Sequence, residues 1–349
     1  GNLCRCTGYR PIIDAGLAMD GYAPPEHWNR EAAQDPGRRG RLAAMAGEAP
    51  LQTADGRYFA PRDLETLAAR FAAAPDSLLL AGGTDIGLWV TQALRELPPL
   101  IWIGDVAELQ KIERDERGLR IGAAVSLTDA WPAILADYPE LAEQASRFAS
   151  TPVRNSGTLV GNLANGSPIG DSLPAMLALD AVLELRCGEA TRELPLHEFY
   201  LAYRRTALAR GELVTAVRIP PRGTGDLIAS YKVARRQEQD ISAVSTTFRV
   251  RVEEGRVALA RLAFGGMAGI ARRAVHAEEV LVGAPWTLDT IAATRDALAR
   301  DFTPLTDLRA TGAYRLEVAG ALIERMYRAS VGEAVAMPVA STVAEGGAP

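Results

Sequence analysis

The chain has 349 residues, of which 48% are apolar and 23% charged, and its formal net charge is -5. That profile suits a globular protein with a sizeable core and room for two or three domains. The lack of a Lys/Arg stripe with interleaved aromatics argues against a nucleic-acid surface, because neutralising phosphates takes clustered positive charge.

No run approaches the roughly 18 consecutive apolar residues of a membrane-spanning helix. The N-terminus carries polar residues and two cysteines where a signal peptide would place an apolar core. The expectation is a cytoplasmic protein that meets small molecules and other proteins, with no nucleic acid and no membrane. Three unevenly spaced cysteines do not make a disulfide framework, so Cys4 and Cys6 read better as metal ligands than as a bridge. A chain that starts at Gly1 reads as a fragment.

Residues 1–22 combine the Cys-Arg-Cys turn with an apolar patch that includes Ile12, Ile13, Leu17 and Met19, which reads as a short helix behind a cofactor loop. Residues 23–49 are rich in Pro, Gly, Arg, Asp and Ala without sustained periodicity and read as a linker. A domain boundary falls near residue 50, and from Pro61 the pattern alternates. A helix is expected over Asp63 to Ala73, a strand over Leu78 to Ala81, a Gly-Gly-Thr-Asp turn, a helix over Ile86 to Leu94, and a strand over Leu100 to Ile103. A hairpin turns at Asp115 to Gly118, and helices come next over Leu127 to Leu135 and Pro139 to Arg147.

Thr151 to Leu173 reads as a long loop, succeeded by a helix near Pro174 and a strand pair at Ala181 to Arg186 and Thr191 to Leu194. A strand over Leu213 to Ile219 precedes a boundary at Pro220-Pro221. A β-meander is then expected over Ile228 to Phe264, with helices over Val275 to Val282, Leu288 to Ala299 and Gly312 to Tyr327. Together these describe an α+β domain over 226–332, and residues 333–349 read as a disordered tail.

Three segments carry chemistry. Cys4 and Cys6, flanked by small and polar residues, suit one iron of an iron–sulfur cluster, which needs four cysteines altogether. A bare Cys-x-Cys is equally compatible with unremarkable thiols. In the second segment, Leu79-Leu80-Ala81-Gly82-Gly83-Thr84-Asp85-Ile86, a strand ends in two glycines at a helix start, where unobstructed amides can meet phosphate. It fits neither G-x-G-x-x-G nor the P-loop pattern, and such a turn is often only a turn. The third segment, Phe148 to Asp171, is rich in Gly, Asn, Ser and Thr and suits wrapping around a polar, elongated ligand. The three histidines, His27, His197 and His276, show no metal-ligand spacing.

The string Asn2-Leu3-Cys4-Arg5-Cys6-Thr7-Gly8-Tyr9-Arg10-Pro11-Ile12 resembles the second half of the helical [2Fe-2S] domain of xanthine dehydrogenases and related molybdenum hydroxylases. Pro50 to Pro221 resembles the FAD domain of the same family, a vanillyl-alcohol-oxidase-like (PCMH-type) fold. The meander and helices of residues 226–332 resemble the C-terminal domain of carbon monoxide dehydrogenase flavoproteins. The fold implied is α+β, with a FAD-binding domain over 50–222 and a short remnant of a [2Fe-2S] domain at the N-terminus.

The resemblance implies FAD contacts at Leu79, Leu80, Ala81, Gly82, Gly83, Thr84, Asp85 and Ile86, at Thr158, Leu159, Val160, Gly161 and Asn162, and at Phe148, Asp171, Val214 and Lys232. Cys4 and Cys6 match two cluster ligands, and the other two belong to a Cys-x-x-Cys segment that this sequence lacks. The activity implied is that of an FAD-binding electron-transfer subunit of xanthine dehydrogenase. Electrons would pass from a molybdenum cofactor on a large partner subunit, through [2Fe-2S] clusters, to FAD and then as hydride to NAD+, within a heterotetramer or higher assembly. Two other readings stay open at this point: the flavin subunit of a related aldehyde, CO or N-heterocycle hydroxylase, and a degenerate, non-catalytic module.

Overall fold

The structure, a computed structural model, describes residues 9–23, 36–45, 50–237 and 239–333. The chain divides into two compact units, residues 1–50 and 51–349. In the first, helix α1 spans Tyr9–Ala18 and runs into a 3-10 turn at Met19–Gly21. Helix α2 spans Pro36–Met45, within the stretch expected to be a featureless linker. Its Arg, Leu, Ala and Met residues are good helix formers, and proline is favoured at a first helical position, where its missing N–H goes unneeded. Cys4 and Cys6 lie outside the described residues, as does the expected tail from residue 334.

The second unit opens with strands β1 (Leu51–Gln52) and β2 (Tyr58–Ala60), helix α3 (Leu64–Ala73), β3 (Leu78–Leu80), α4 (Ile86–Thr91) and β4 (Leu100–Trp102). They form a four-stranded sheet in the order β1-β2-β4-β3, in which β2, β4 and β3 run parallel. Asp63 caps α3, accepting from the Thr66 amide at 2.7 Å, and the helix buries Leu67, Ala68 and Phe71 on one face. Helix α4 stops at Thr91, short of the expected Leu94, which takes a left-handed φ of 50° and cannot continue a helix.

The next layer is a five-stranded antiparallel sheet. Its strands are β5 (Ile112–Asp115), β6 (Gly118–Gly122), β7 (Val182–Cys187), β8 (Ala190–Pro195) and, after the small β9–β10 hairpin (Tyr200–Ala202 and Arg205–Thr206), β11 (Leu213–Ile219). The order is β5-β6-β11-β7-β8, and every residue of the central β11 is buried. Between β6 and β7 the chain makes helices α5 (Leu127–Leu135), α6 (Ala142–Arg147, after a 3-10 turn at Pro139–Leu141), α7 (Thr151–Ser156), α8 (Leu159–Asn165) and α9 (Ser172–Ala178).

The long loop expected over Thr151 to Leu173 is therefore mostly helical. Thr158 caps α8 by accepting from the Gly161 amide at 3.0 Å, and Gly166 ends it in the left-handed conformation at φ 60°. Leu159, Val160 and Leu163 form the buried face between those caps. Two turns of helix are too short to show a period in sequence.

The last part is the antiparallel sheet β12 (Asp226–Val233), β13 (Val244–Glu253), β14 (Arg256–Gly265) and β15 (Arg272–Arg273), packed against α11 (Val275–Leu281), α12 (Leu288–Asp301) and α13 (Gly312–Ser330), with the single-turn α10 (Leu196–Phe199) lying earlier, between β8 and β9. Phe248, Phe264 and Phe302 meet edge-on in the core between them, at centroid distances of 5.4 and 5.2 Å. Helix α9 is buried at every position and packs on β13 and β14, so it joins this sheet to the preceding layer of helices. No helix among the described residues is long and apolar enough to cross a membrane.

Candidate functional site

The two glycine-rich segments meet through their backbones. A Cβ added at Gly82 would lie 1.8 Å from the Ser156 carbonyl oxygen and 2.8 Å from Gly157 Cα, so the β3–α4 turn can abut the end of α7 only if residue 82 is glycine. Gly83 comes next with φ 70°, a conformation L side chains rarely adopt. Gly157 in turn receives the Leu127 amide on its carbonyl at 2.8 Å, which ties the start of α5 to the same point.

A cavity of about 440 Å³ opens between these elements. Of the residues implied by the resemblance, Leu79, Ala81, Gly82, Gly83, Thr84, Asp85 and Ile86 line it from the first segment. Phe148, Thr158, Val160, Gly161 and Asn162 line it from the second, and Val214 lines it from β11. Leu80, Leu159, Asp171 and Lys232 do not line it.

Trp89, Leu127 and Glu212 also line the cavity and were not singled out from sequence. Trp89 lies three residues after Ile86 on α4, a spacing that puts both on one helix face, and this was the signal available for it. The Glu212 carboxylate is held by the Arg192 guanidinium at 2.7 Å on each oxygen and by the Ala209 amide at 2.9 Å. The arginine bond keeps Glu212 ionised below the ordinary carboxylate range.

The lining offers backbone donors and a few polar side chains, with no lysine or arginine among the described residues. The amides of Gly82, Gly83, Thr84 and Asp85 make no hydrogen bond among the described residues, leaving four successive donors on a turn that borders open space. Such a run suits an anionic, oxygen-rich group better than a neutral apolar one, because it supplies donors with no side-chain bulk. The rest of the wall is mainly apolar, with Thr158, Asn162, Asn165 and Glu212 among its polar side chains, and Phe148 is steadied edge-on by Trp131 at 6.4 Å. The Arg154 guanidinium donates to the carbonyls of Phe148 (2.9 Å) and Ala149 (2.6 Å), which fixes the backbone where Ala149 adopts φ 54°.

Lys232 and Asp171 lie behind this wall and bind each other. The Lys232 ammonium donates to Asp171 Oδ2 at 2.5 Å, and their side chains are 2% and 5% exposed. Ser242 donates to the other carboxylate oxygen at 2.6 Å, and Gln144 donates to the Asp171 carbonyl at 2.6 Å. Arg147 spans the same junction, donating to the Lys232 carbonyl at 2.8 Å. Lys232 is thus a buried, paired charge, neither a solvated strand lysine nor part of the cavity lining. Among the described residues no group of three or more His, Cys, Asp or Glu could hold a metal ion.

Residues 52–222 match the family described as "FAD binding domain in molybdopterin dehydrogenase", and residues 229–330 match "CO dehydrogenase flavoprotein C-terminal domain". The chain belongs to the FAD-binding subunits of the molybdenum hydroxylase family.

This flavin subunit is 32% identical over 266 residues to the xanthine dehydrogenase FAD-binding subunit of Escherichia coli, covering 75% of the present chain and 90% of that protein. It is 31% identical over 284 residues to the nicotinate dehydrogenase FAD-subunit of Eubacterium barkeri, covering 78% and 95%. Its fold superposes on a chain of the carbon monoxide dehydrogenase from Hydrogenophaga pseudoflava with a TM-score of 0.71 at 30% identity, covering 79% and 96%. Against the xanthine dehydrogenase of Emericella nidulans it is 27% identical over 358 residues, and it spans 26% of that longer protein.

Two substitutions test these contacts. Gly82→Ala should destabilise the protein by about 1–3 kcal/mol, the usual cost of forcing extra volume into a packed contact. It would be seen as a lower Tm, and an unchanged Tm would mean that the turn and α7 can separate freely. Lys232→Met strands a buried carboxylate and should cost about 3–5 kcal/mol, most of it recovered by adding Asp171→Asn. Failure of the second change to restore Tm would show that the lysine stem, not its charge, carries the effect.

Proposed function

We propose that the cavity binds FAD and that the chain is the FAD-binding electron-transfer subunit of a xanthine dehydrogenase. The observation that carries the FAD site is the run of unpartnered amides at Gly82 to Asp85 beside an apolar cavity. In this reading those amides bind the pyrophosphate, which meets backbone donors in place of basic side chains. Asn162 and Thr158 offer polar groups to the cofactor's hydroxyl-rich chain, while Phe148, Val160, Trp89 and Val214 exclude water from its ring systems. FAD supplies the electron chemistry, and the protein supplies binding, orientation and electrostatics. Asp171 and Lys232 serve the site from behind by holding α9 and β12 together.

In the same reading Cys4 and Cys6 contribute to a [2Fe-2S] cluster, electrons arrive from a molybdenum cofactor on a large partner subunit, and NAD+ is the final acceptor. The xanthine assignment is supported by the Escherichia coli relative and by the Cys-Arg-Cys string ahead of the FAD domain. The nearly equal likeness to a nicotinate dehydrogenase subunit favours a second reading, hydroxylation of a nicotinate-like heterocycle.

Two experiments test the proposal. The purified chain, denatured by heat or acid, should release FAD in near-stoichiometric amount, or the apo form should take up added FAD; failure of both would remove the FAD site. Gly83→Trp should abolish that binding by filling the cavity, whereas Gly83→Ala should only strain a left-handed residue, at about 1 kcal/mol. Equal flavin content in wild type and Gly83→Trp would place the cofactor elsewhere. Separately, the assembled complex should reduce NAD+ with xanthine far faster than with nicotinate, and the reverse order would favour the second reading.

A further inference from the structure

One polar contact connects the buried Lys232–Asp171 pair to the cavity wall. The residue after Asp171 is Ser172, fully buried at the start of α9, and its hydroxyl donates to Asn162 Oδ1 at 2.6 Å. Asn162 lines the cavity. Its backbone amide is spent on the Thr158 carbonyl at 3.1 Å, and among the described residues its Nδ2 group makes no hydrogen bond. Gly170 crowds the same oxygen from another side: a Cβ there would sit 3.3 Å from Asn162 Oδ1.

A carboxamide can present either its oxygen or its amino group to a ligand, and the two ends have opposite hydrogen-bonding character. Here a buried hydroxyl holds the oxygen, so the amino group is the end with unspent donors.

We infer that Ser172 is a positioning residue of the flavin site: it orients the Asn162 carboxamide so that Nδ2 donates to an acceptor oxygen or nitrogen of the cofactor. Ser172 can do this because its own backbone is fixed on both sides. The preceding carboxylate is clamped by Lys232 and Ser242, the carbonyl of Asp171 by Gln144, and the helix it opens is buried throughout. Without the hydroxyl, the carboxamide is free to turn its oxygen toward the cofactor, where it would face other acceptors. The inference rests on the FAD reading of the cavity and adds to it a residue that does not itself line the site.

The test is a double-mutant cycle on FAD affinity, measured by quenching of flavin fluorescence on titration of apo protein, with Tm recorded for each variant. Ser172→Ala should weaken FAD binding about tenfold, which is ~1.4 kcal/mol, and Asn162→Ala should weaken it at least as much. The double variant should bind no worse than Asn162→Ala alone, because Ser172 acts through Asn162. A merely structural serine would lower Tm yet leave affinity unchanged, or would add its loss to that of Asn162→Ala; either result overturns the inference.

Should Ser172→Ala fail to fold, Asn162→Asp decides. That change keeps an acceptor for the Ser172 hydroxyl and removes the donor, so FAD affinity should fall at least tenfold, and unchanged affinity refutes the orientation. If wild-type apo protein takes up no FAD, the FAD reading and this inference fall together. If wild type binds and the variants bind equally well, only the inference falls.

Discussion

The approach of Gly82 to the Ser156 carbonyl is the contact on which the site depends. It brings the end of a parallel strand against the end of a short helix, two elements more than 70 positions apart in sequence, and it leaves no room for a side chain between them. The turn must then continue through a left-handed Gly83, its amides are left without internal acceptors, and α8 starts directly after the contact on its Thr158 cap. A cavity bounded by backbone donors on one side and by mainly apolar side chains, with Thr158, Asn162 and Glu212 among them, on the others is the result.

Two of the carboxylates at and behind the site are paired. Glu212, on the cavity wall, is neutralised by Arg192, and Asp171, off the wall, by Lys232, whereas the Asp85 carboxylate on the β3–α4 turn makes no ion pair among the described residues. A buried ion pair gains little stability over an apolar pair of the same volume, but it penalises any arrangement that separates its members. Here that penalty falls on displacement of β12 from α9, which couples the C-terminal sheet to the helices that shape the cavity. The C-terminal part therefore reaches the site without touching it, by way of Asp171, Ser172 and Asn162.

Much of the frame was legible in the sequence, and the physical reasons are specific. The β12–β14 meander has strands of eight to ten residues, and β12 alternates buried and half-buried positions along its whole length, so period-two patterning is plain. The strand–turn–helix at Leu78 to Ile86 carries its glycines where the backbone needs them. Helices α7 and α8 were not legible, because six and seven residues held by a cap, a proline and buried neighbours leave no period to read. The partner of Lys232 was likewise hidden: the pair lies 61 positions apart, and nothing local marks either residue as buried. Thirteen of the implied cavity residues do line it, and the four that do not, Leu80, Leu159, Asp171 and Lys232, stand outside its wall.

In the proposed function one ligand is held jointly by the Gly82–Asp85 turn and the Phe148–Asn162 segment. Hydrogen–deuterium exchange on the apo chain with and without FAD reads both at once. FAD should slow exchange in peptides covering residues 79–86 and in those covering 157–162, with little change in the β12–β14 strands. Slowing in only one segment, or in neither, would rule out joint binding.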